Sequence, residues 1–576
     1  MIENRASAPA KELIVLVHGF TGGAESMVGV RDAVREIKPA ADIVLFDYGK
    51  HPFSNGDLFR IAQEIDDKME EFQASRNYSE IMLLGYSIGA LLLRKAYVYG
   101  CGNIADAPTA GGDQAVSRPP RQWVRQVKRF VLLAGMNRGW ARERRTSYSS
   151  SRSAALIHAA WWMAKLTGTG LLIRQALCGE PFVANLRLQW LEAMRDADAR
   201  GTPRPQVLQL LGDRDDVVTK DDSRDLSVAR DFIWVTVNNT THDNTVRLGN
   251  GGTGLERKRK IQLAFGDDES IEKLRRTNPI VTRDEDPDVK TVVFVLHGIR
   301  DMGEWTSNFE APLQKAYHDT RPLGDKLHIH RASYGFLAMG PFLIWADRQK
   351  NVRWFMDQVT ELAARFPNLK EIHFIGHSNG TYVLASALQK YQTLKVGYAV
   401  LAGSVIRKDY PWSKFTGRIK QVRNYVGSKD LVVGFFPRLF ELPFASAINA
   451  DIGSAGFNGF DDSFGNSMET RFVRGTHAAA LVEDNIPSIV EFIIHGRKID
   501  IETVLTRDRP SALQLLSNAC WIVWLGLLGL IVSVAGFLAW IAIVLSHHLT
   551  WLPTPVALAV FLGGYFLFIW YLLLTV

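Results

Sequence analysis

Two serines in this chain stand in the same chemical setting, at the centre of Gly-x-Ser-x-Gly. Ser87 lies in the segment 80–93, EIMLLGYSIGALLL, and Ser378 lies in the segment 371–384, EIHFIGHSNGTYVL. In each segment an apolar run typical of a β-strand precedes the motif, and an apolar run with helical spacing follows it. A sharp turn between strand and helix exposes a serine hydroxyl, and the flanking glycines let the two backbones pass closely. This context predicts nucleophilic serines at both positions.

A serine hydroxyl is a weak nucleophile at neutral pH and must pass its proton to a neighbouring base. Histidine suits this role, and a carboxylate fixes the tautomer of the imidazole and stabilises its protonated form. In both halves of the chain an aspartate and then a histidine follow the serine, the order used when the nucleophile ends a strand. The sequence predicts two triads, with these members: Ser378, Asp430 and His477 in the second half, and Ser87, Asp215 and His242 in the first.

The acid of the first half has to be chosen from three neighbouring aspartates, Asp213, Asp215 and Asp216. Aligning GDRDDVV of the first half with GSKDLVV of the second places Asp215 opposite Asp430. We therefore expect Asp215 to be the acid, and we expect the other two to cap the loop or to be solvated.

A tetrahedral intermediate needs hydrogen-bond donors aimed at its oxyanion. The residue after each nucleophile, Ile88 or Asn379, supplies one backbone N–H, and the loop after the first strand of each half supplies another. In that loop Phe20 and Ile299 follow a His-Gly pair. The side chain of Asn379 either contacts substrate or holds the turn.

Six landmarks recur in the same order in both halves, which indicates an internal duplication. The matched pairs are His18-Gly19-Phe20 with His297-Gly298-Ile299, Asp47-Tyr48-Gly49 with Ser333-Tyr334-Gly335, GYSIG with GHSNG, VLLAG with YAVLAG, GDRDDVV with GSKDLVV, and Thr241-His242 with Thr476-His477. Apolar runs alternate with helical patterns, which predicts α/β domains with mostly parallel sheets covered by helices on both faces. We expect one such domain at 1–280, with a cap-like insertion at about 136–205, and a second at 281–510.

The last part of the chain, 511–576, contains no Lys, Arg, Asp or Glu. Its segments 519–545 and 553–576 each exceed the roughly 20 apolar residues that span a bilayer, so we expect a transmembrane hairpin. Four basic residues precede the first span: Arg497, Lys498, Arg507 and Arg509. By the positive-inside rule they place the N-terminal domains in the cytoplasm, on an inner (cytoplasmic) membrane.

Composition narrows the class of protein further. The net charge is +7, but the short basic clusters at 142–145 and 257–260 lack interleaved aromatics, so we expect no nucleic-acid partner. The three cysteines are far apart, which favours a reducing compartment and provides no disulfide framework. No ligand spacing indicates a metal, and no motif indicates a cofactor. The oligomeric state is not predicted.

These motifs resemble those of the α/β-hydrolase superfamily in both halves, over about residues 10–250 and 288–495. GHSNG and GYSIG, with the leading HGI and HGF, are similar to those of the serine esterases that include lipases and GPI inositol deacylases. The resemblance implies hydrolysis of esters, often of lipids, through an acyl-enzyme. The aspartate cluster, the long insertion before Asp215 and Asn379 depart from the pattern and leave the substrate open.

Three features favour a lipid substrate drawn from the adjacent leaflet by a lipase or phospholipase. They are the membrane tether, the apolar loops at 336–345 and 435–444, and Trp161 with Trp162 in the insertion. The alternatives are a thioesterase or deacylase acting on acylated proteins, and a membrane scaffold with one or both domains inactive. The second domain has the more compact landmarks and adjoins the membrane segment, so we expect it to be the main catalyst.

Overall fold

The computed structural model describes residues 2–4, 10–20, 22–49, 55–108, 117–140, 169–219, 222, 225–226, 231–278, 285–299, 301–322, 324–441, 451–462, 467–499, 515, 517–549 and 551–575. Much of the expected insertion, including Trp161 and Trp162, lies outside these residues, as does part of the apolar loop at 435–444. The chain divides into two units. The first comprises Met1–Asp286, Phe355–Pro367 and Tyr391–Thr393, and the second comprises Pro287–Trp354, Asn368–Lys390 and Leu394–Val576.

The sheet of the first unit has seven strands within the described residues. They are β1 Ile2–Asn4, β2 Glu12–Val17, β3 Asp42–Phe46, β4 Glu80–Tyr86, β5 Val127–Leu133, β6 Gln206–Gly212 and β7 Asp231–Val237. Their order is β1-β3-β2-β4-β5-β6-β7. The strands from β2 to β7 are mutually parallel, and only β1 pairs antiparallel, with β3.

The sheet of the second unit has six strands in the described part of the chain, all parallel. They are β8 Val289–Leu296, β9 Lys326–Ala332, β10 Glu371–His377, β11 Val396–Ala402, β12 Ile419–Gly427 and β13 Met468–Val473. Their order, β13-β12-β11-β10-β8-β9, is that of the six parallel strands in the first unit. The strand that leads to each serine, β4 or β10, therefore lies inside its sheet between two parallel neighbours.

The helices alternate with these strands, as the change in hydrophobic period predicts. Those that precede β8 are α1 Val28–Ile37, α2 Leu58–Arg76, α3 Ile88–Gly100, α4 Leu171–Gln175, α5 Pro181–Arg195, α6 Ala197–Arg200, α7 Gly252–Phe265 and α8 Asp268–Thr277. Those that follow it are α9 Glu310–His318, α10 Met339–Leu343, α11 Trp345–Arg365, α12 Asn379–Lys390, α13 Leu431–Phe435, α14 Ala455–Asn458, α15 Ile486–His495, α16 Cys520–His548 and α17 Thr554–Thr575.

The core of the first unit is built around β4 and the helix that follows it. Every residue of α3 is buried. Most of its side chains are apolar, and its two charged residues are paired within the protein, Arg94 with Asp225 and Lys95 with Asp106. On α5, the buried Trp190 lies edge-on to Phe130 of β5, with ring centroids 5.5 Å apart, and 5.9 Å from Tyr97 of α3. This packing fixes the serine at the start of α3 relative to the sheet.

Helices α16 and α17 are long and apolar enough to cross a membrane, judged by length and composition. Only 6% of each apolar window is buried within the protein, so apolar side chains face outward along both helices. The two helices pack against each other. Ser546 Oγ lies 2.9 Å from Thr554 Oγ1, and the Tyr565 hydroxyl donates to the Ile531 carbonyl at 3.2 Å. The pairs run in opposite directions along the helices, as in an antiparallel hairpin.

Candidate active sites

Both serines occupy a strained turn between a strand and a helix. Ser87 follows β4 and precedes α3 with φ 54° and ψ −117°, and Ser378 follows β10 and precedes α12 with φ 51°. Positive φ is uncommon for a residue with a side chain and is found preferentially at functional sites. The helix approaches the first strand closely at each turn. A Cβ on Gly89 would lie 2.4 Å from the Val17 carbonyl oxygen, so only glycine fits there.

In the first unit a chain of hydrogen bonds joins the three residues that the sequence singles out. Ser87 Oγ lies 2.8 Å from Nε2 of His242, and Nδ1 of that histidine lies 3.0 and 3.2 Å from the two carboxylate oxygens of Asp215. All three side chains are buried. The aspartate follows β6 and the histidine follows β7, so the loops after three parallel strands bring the groups together at the carboxyl edge of the sheet.

The Asp215 carboxylate is held by its own loop. Its Oδ1 accepts hydrogen bonds from the N–H groups of Val217 at 2.9 Å and Val218 at 2.8 Å. Its neighbour Asp213 instead accepts from the Thr240 N–H at 3.1 Å and closes the turn between the two loops. The structure thus places Asp215, and not Asp213, against the histidine.

The charge around His242 favours its protonated form. Burial has the largest effect and lowers the pKa of His242, but the Asp215 carboxylate, with smaller contributions from Asp243 and Asp216, raises it by more. The net pKa of His242 therefore lies above its ordinary value. An imidazole of this kind accepts a proton from a hydroxyl more readily than one in water.

The second unit has the same arrangement with one link missing. His477 Nδ1 lies 2.8 Å from Asp430 Oδ2, and the Val433 N–H donates to the other carboxylate oxygen of Asp430 at 3.0 Å. Within the described residues, no hydrogen bond joins Ser378 to His477. The His477 ring lies beside that of His377, with centroids 4.7 Å apart. Burial, followed by the charge of His477, lowers the pKa of His377 to about 3, so His377 is neutral at working pH.

The loop after β2 passes directly against Ser87, and the loop after β8 passes directly against Ser378. A Cβ on Gly19 would lie 3.1 Å from the Cβ of Ser87, and one on Gly298 would lie 2.7 Å from the Cβ of Ser378. This brings Phe20, the next residue in the first unit, to the edge of the site. The loop after β8 brings Ile299, the equivalent residue of the second unit, to the same position beside Ser378.

The backbone donors expected for the oxyanion remain unused inside the protein. Among the hydrogen bonds of the described residues, none uses the N–H of Phe20, Ile88, Ile299 or Asn379. The first turn of a helix leaves its N–H groups without intrahelical partners, so those after each serine are free to bind a developing negative charge.

Two tyrosines hold these loops, and each belongs to one of the repeated landmarks. The Tyr48 hydroxyl donates to the His18 carbonyl at 3.1 Å, and its ring stacks on the His18 ring at 4.1 Å. In the second unit the Tyr334 hydroxyl lies 2.8 Å from the His297 carbonyl oxygen and accepts from Asn379 Nδ2 at 3.0 Å. The side chain of Asn379 thus ties the elbow to the loop.

Two further contacts to the first triad were not predicted. The Tyr86 hydroxyl donates to the His242 carbonyl at 2.9 Å, and Met136 Sδ lies 3.1 Å from Ser87 Oγ. Neither residue has a sequence pattern that indicates such a contact. The Tyr-Gly pair that recurs after β3 and after β9, by contrast, was a signal for Tyr48 and Tyr334.

Both units combine a mostly parallel sheet with a nucleophile-type elbow after a central strand, followed by an aspartate and a histidine on later loops. These are the features of the α/β-hydrolase fold, and each unit has that fold. The fold class predicted from the sequence is confirmed.

Comparison with solved structures finds lipases and a phospholipase. The lipase BlEst2 of Bacillus licheniformis is 16% identical over 42% of this chain and 91% of its own, with a TM-score of 0.27. Phospholipase PlaB of Legionella pneumophila is 13% identical over 46% of this chain and 63% of its own, with a TM-score of 0.32. A monoacylglycerol lipase of Paleococcus ferrophilus is 14% identical over 46% of this chain and 98% of its own, with a TM-score of 0.29. No protein-family model and no curated protein matches the chain.

The raised pKa of His242 gives the first site a predictable pH dependence. A general base must be neutral, so the reaction of Ser87 with a fluorophosphonate should slow as the pH falls below a pKa that lies above the ordinary histidine value. Because Asp215 is the main group raising that pKa, Asp215→Asn should move the acid limb to lower pH. It should also reduce the rate at least about 100-fold, by removing the carboxylate that orients the ring.

The rate should be measured against pH in a Ser378→Ala background, with Asp213→Asn as the matched control. The control should keep both the rate and the position of the acid limb. If Asp215→Asn left the pH profile unchanged while Asp213→Asn abolished activity, the acid would be Asp213 and the prediction would be wrong.

The contact between Tyr48 and His18 predicts a positioning role. Tyr48→Phe removes one partly buried hydrogen bond and should cost about 1 kcal/mol of unfolding free energy. It should also slow fluorophosphonate labelling of Ser87 by about tenfold, because the loop that carries a donor for the oxyanion becomes less fixed.

Tyr97→Phe is the control, since the buried Tyr97 hydroxyl donates to the Pro203 carbonyl at 2.8 Å and lies on α3. It should lose similar stability in denaturant titration and keep the labelling rate. Equal slowing in both variants would show that Tyr48 acts through general stability alone.

Proposed function

We propose that this protein is a membrane-anchored serine hydrolase that cleaves carboxylic esters of lipids through an acyl-enzyme. The observation that carries the proposal is the continuous hydrogen-bonded path from Ser87 through His242 to Asp215 on an α/β-hydrolase fold. A buried serine, imidazole and carboxylate in this order can activate a hydroxyl, and the strained elbow presents that hydroxyl at the carboxyl edge of the sheet.

In the acylation step, Ser87 Oγ attacks the ester carbonyl carbon while its proton moves to His242 Nε2. Asp215 holds the other ring nitrogen and stabilises the imidazolium that forms. The carbonyl oxygen becomes an oxyanion, which the unused N–H groups of Phe20 and Ile88 can stabilise. When the tetrahedral intermediate collapses, the bond to the alcohol breaks and the leaving oxygen takes the proton from His242.

In the deacylation step, a water molecule replaces the departed alcohol. His242 accepts one of its protons as the water oxygen attacks the acyl carbon, and the same donors bind the second oxyanion. Collapse of this intermediate breaks the bond to Ser87 Oγ, which recovers the proton from His242. The products are a carboxylic acid and an alcohol, and the serine is restored.

Lipid is the substrate class that the rest of the chain supports. Helices α16 and α17 expose apolar side chains along lengths sufficient for a bilayer, which favours a hydrolase held beside its substrate. Basic residues precede the first of these helices, and by the positive-inside rule they favour catalytic units on the cytoplasmic side of an inner membrane.

The second unit supports two readings of its own role. Catalytic hydrogen bonds often tighten only when substrate binds, so Ser378 and His477 can form a second working site. The missing bond between them favours the alternative in which the second unit supports the first and contacts the membrane. The hydrogen bond between Ser87 and His242 therefore supports the first unit as the main catalyst, the reverse of the order that we expect from the sequence.

Labelling of the full chain in membranes with a fluorophosphonate probe tests both the reaction class and this ranking. We expect strong labelling of the wild type, nearly complete loss in Ser87→Ala, and retention in Ser378→Ala. Thermal unfolding of each variant should be unchanged, because both serines differ from alanine by one hydroxyl.

Labelling that survives Ser87→Ala and disappears in Ser378→Ala would assign the reaction to the second unit. Labelling that survives the double variant would contradict the proposal altogether. Free fatty acid released from phospholipid vesicles by the wild type, and not by the double variant, would establish the substrate class.

A further inference from the structure

Large apolar side chains are exposed at one edge of the second unit, and the first unit has no equivalent among its described residues. There, Ile37 is the only described large apolar residue that is exposed, at 37%. In the second unit, the loops that follow β8, β9 and β12 carry four such side chains, which we call the rim residues: Met302 (62%), Phe336 (52%), Leu431 (45%) and Val432 (48%). Carboxyl ends of parallel strands lie at one edge of a sheet, so the rim residues share that edge with Ser378.

The apolar hairpin is fixed to this same edge. Just before α16 begins, the Ser517 hydroxyl donates to the Gly434 carbonyl at 2.7 Å. Near the start of α16, Trp524 Nε1 donates to the Phe435 carbonyl at 3.1 Å. Both carbonyls belong to α13, the short helix that exposes two of the rim residues and whose N-cap is Asp430.

Helix α10 joins the same assembly from the loop after β9. It packs against α17, and its Phe342 lies with its ring centroid 6.2 Å from that of Phe436. Phe436 in turn lies 5.5 Å from the Trp524 ring. Two further exposed apolar side chains, Ile344 and Trp345, follow α10 directly. The hairpin therefore leaves the second unit from among the exposed apolar loops.

The length of α16 places this assembly at the surface of a bilayer. Its 29 residues span roughly 43 Å, whereas the hydrocarbon core is about 30 Å thick, so the ends of the helix reach the headgroup regions. Trp521 and Trp524 lie within the first five residues of α16, and tryptophan prefers the membrane–water interface. Because α13 packs on that end of α16, we place α13 at the same depth.

The charged side chains around the rim residues suit an anionic membrane surface. Lys429, which is exposed, immediately precedes Asp430, and Arg438 binds Asn518 just before α16. Cations beside apolar side chains are the combination that binds the interface of anionic bilayers.

We propose that the rim residues insert into the phospholipid leaflet at which α16 begins. This seats the carboxyl edge of the second unit's sheet at the boundary between lipid headgroups and acyl chains. The surface partner is the bilayer itself. That the protein draws an ester lipid from this leaflet is the part of the inference that rests on the proposed function.

Fluorescence quenching in vesicles tests the surface without reference to activity. The full chain, with Cys101, Cys178 and Cys520 replaced by alanine, carries an NBD fluorophore on Phe336→Cys or Val432→Cys. It is reconstituted in phosphatidylcholine and phosphatidylglycerol that include a lipid with a nitroxide near its headgroup. Asp319→Cys is the control, because Asp319 is exposed and precedes β9, at the opposite edge of the sheet. We expect quenching at the two rim positions to exceed that at the control at least about threefold.

Equal quenching at all three positions would overturn the inference. Shielding of the rim fluorophores from iodide in water without quenching by the nitroxide lipid would also overturn it, since a protein surface would then cover the rim.

An activity ratio separates this inference from the proposed function. Phe336→Ser with Val432→Ser should lower the ratio of vesicle phospholipid hydrolysis to p-nitrophenyl butyrate hydrolysis about tenfold, because two apolar contacts with the leaflet are lost. Asp319→Ser should leave the ratio unchanged. Quenching at the rim without any ester hydrolysis would contradict the proposed function and support insertion of the rim residues into the leaflet. Hydrolysis of vesicle lipid without rim quenching would support the proposed function and contradict the insertion.

Discussion

The structure depends on a strained backbone at two serines. A residue with a side chain at positive φ costs about 1–3 kcal/mol and persists only where its surroundings impose it. Here contacts on both sides of the turn hold the serine backbone in this conformation. The Ser87 N–H donates to the Leu133 carbonyl of the neighbouring strand at 2.9 Å, and the Ser378 N–H donates to the Ala402 carbonyl at 2.9 Å. Each serine is pinned to the strand beside it, while the helix after it is pressed onto the strand on the other side.

The two units share this frame and differ in the loops that carry the aspartate and the histidine. In each unit the helix after the serine lies close against the backbone of a neighbouring strand, at Gly89 and at Gly380. In the first unit the Tyr86 hydroxyl fixes the backbone of His242, and that histidine reaches its serine. In the second unit the equivalent position is His377, and neither of its ring nitrogens has a hydrogen-bond partner within the described residues.

The sequence predicted the parts of the molecule that repeat. Strand positions followed from apolar runs, the elbows from the spacing of glycines, and the choice of Asp215 over its neighbours from aligning the two halves. The catalytic roles of these residues stay predictions. What the sequence could not supply were contacts made through backbone carbonyls, such as that of Tyr48 with His18, because a carbonyl acceptor leaves no mark on residue type. Nor could it show that only one histidine meets its serine, since that depends on loop conformation.

The hairpin is joined to the second unit by hydrogen bonds as well as by the chain. A flexible linker would not bond to the loop that follows β12. Here two side chains at the start of the hairpin donate to consecutive carbonyls of α13, whose N-terminal end is capped by the Asp430 carboxylate that also contacts His477. Asp430 and the start of the apolar helix α16 are therefore joined by one short helix. If the hairpin lies in a bilayer, as we propose, a tilt of the hairpin would be transmitted to the loop that holds Asp430, and the membrane would then orient this loop as well as retain it.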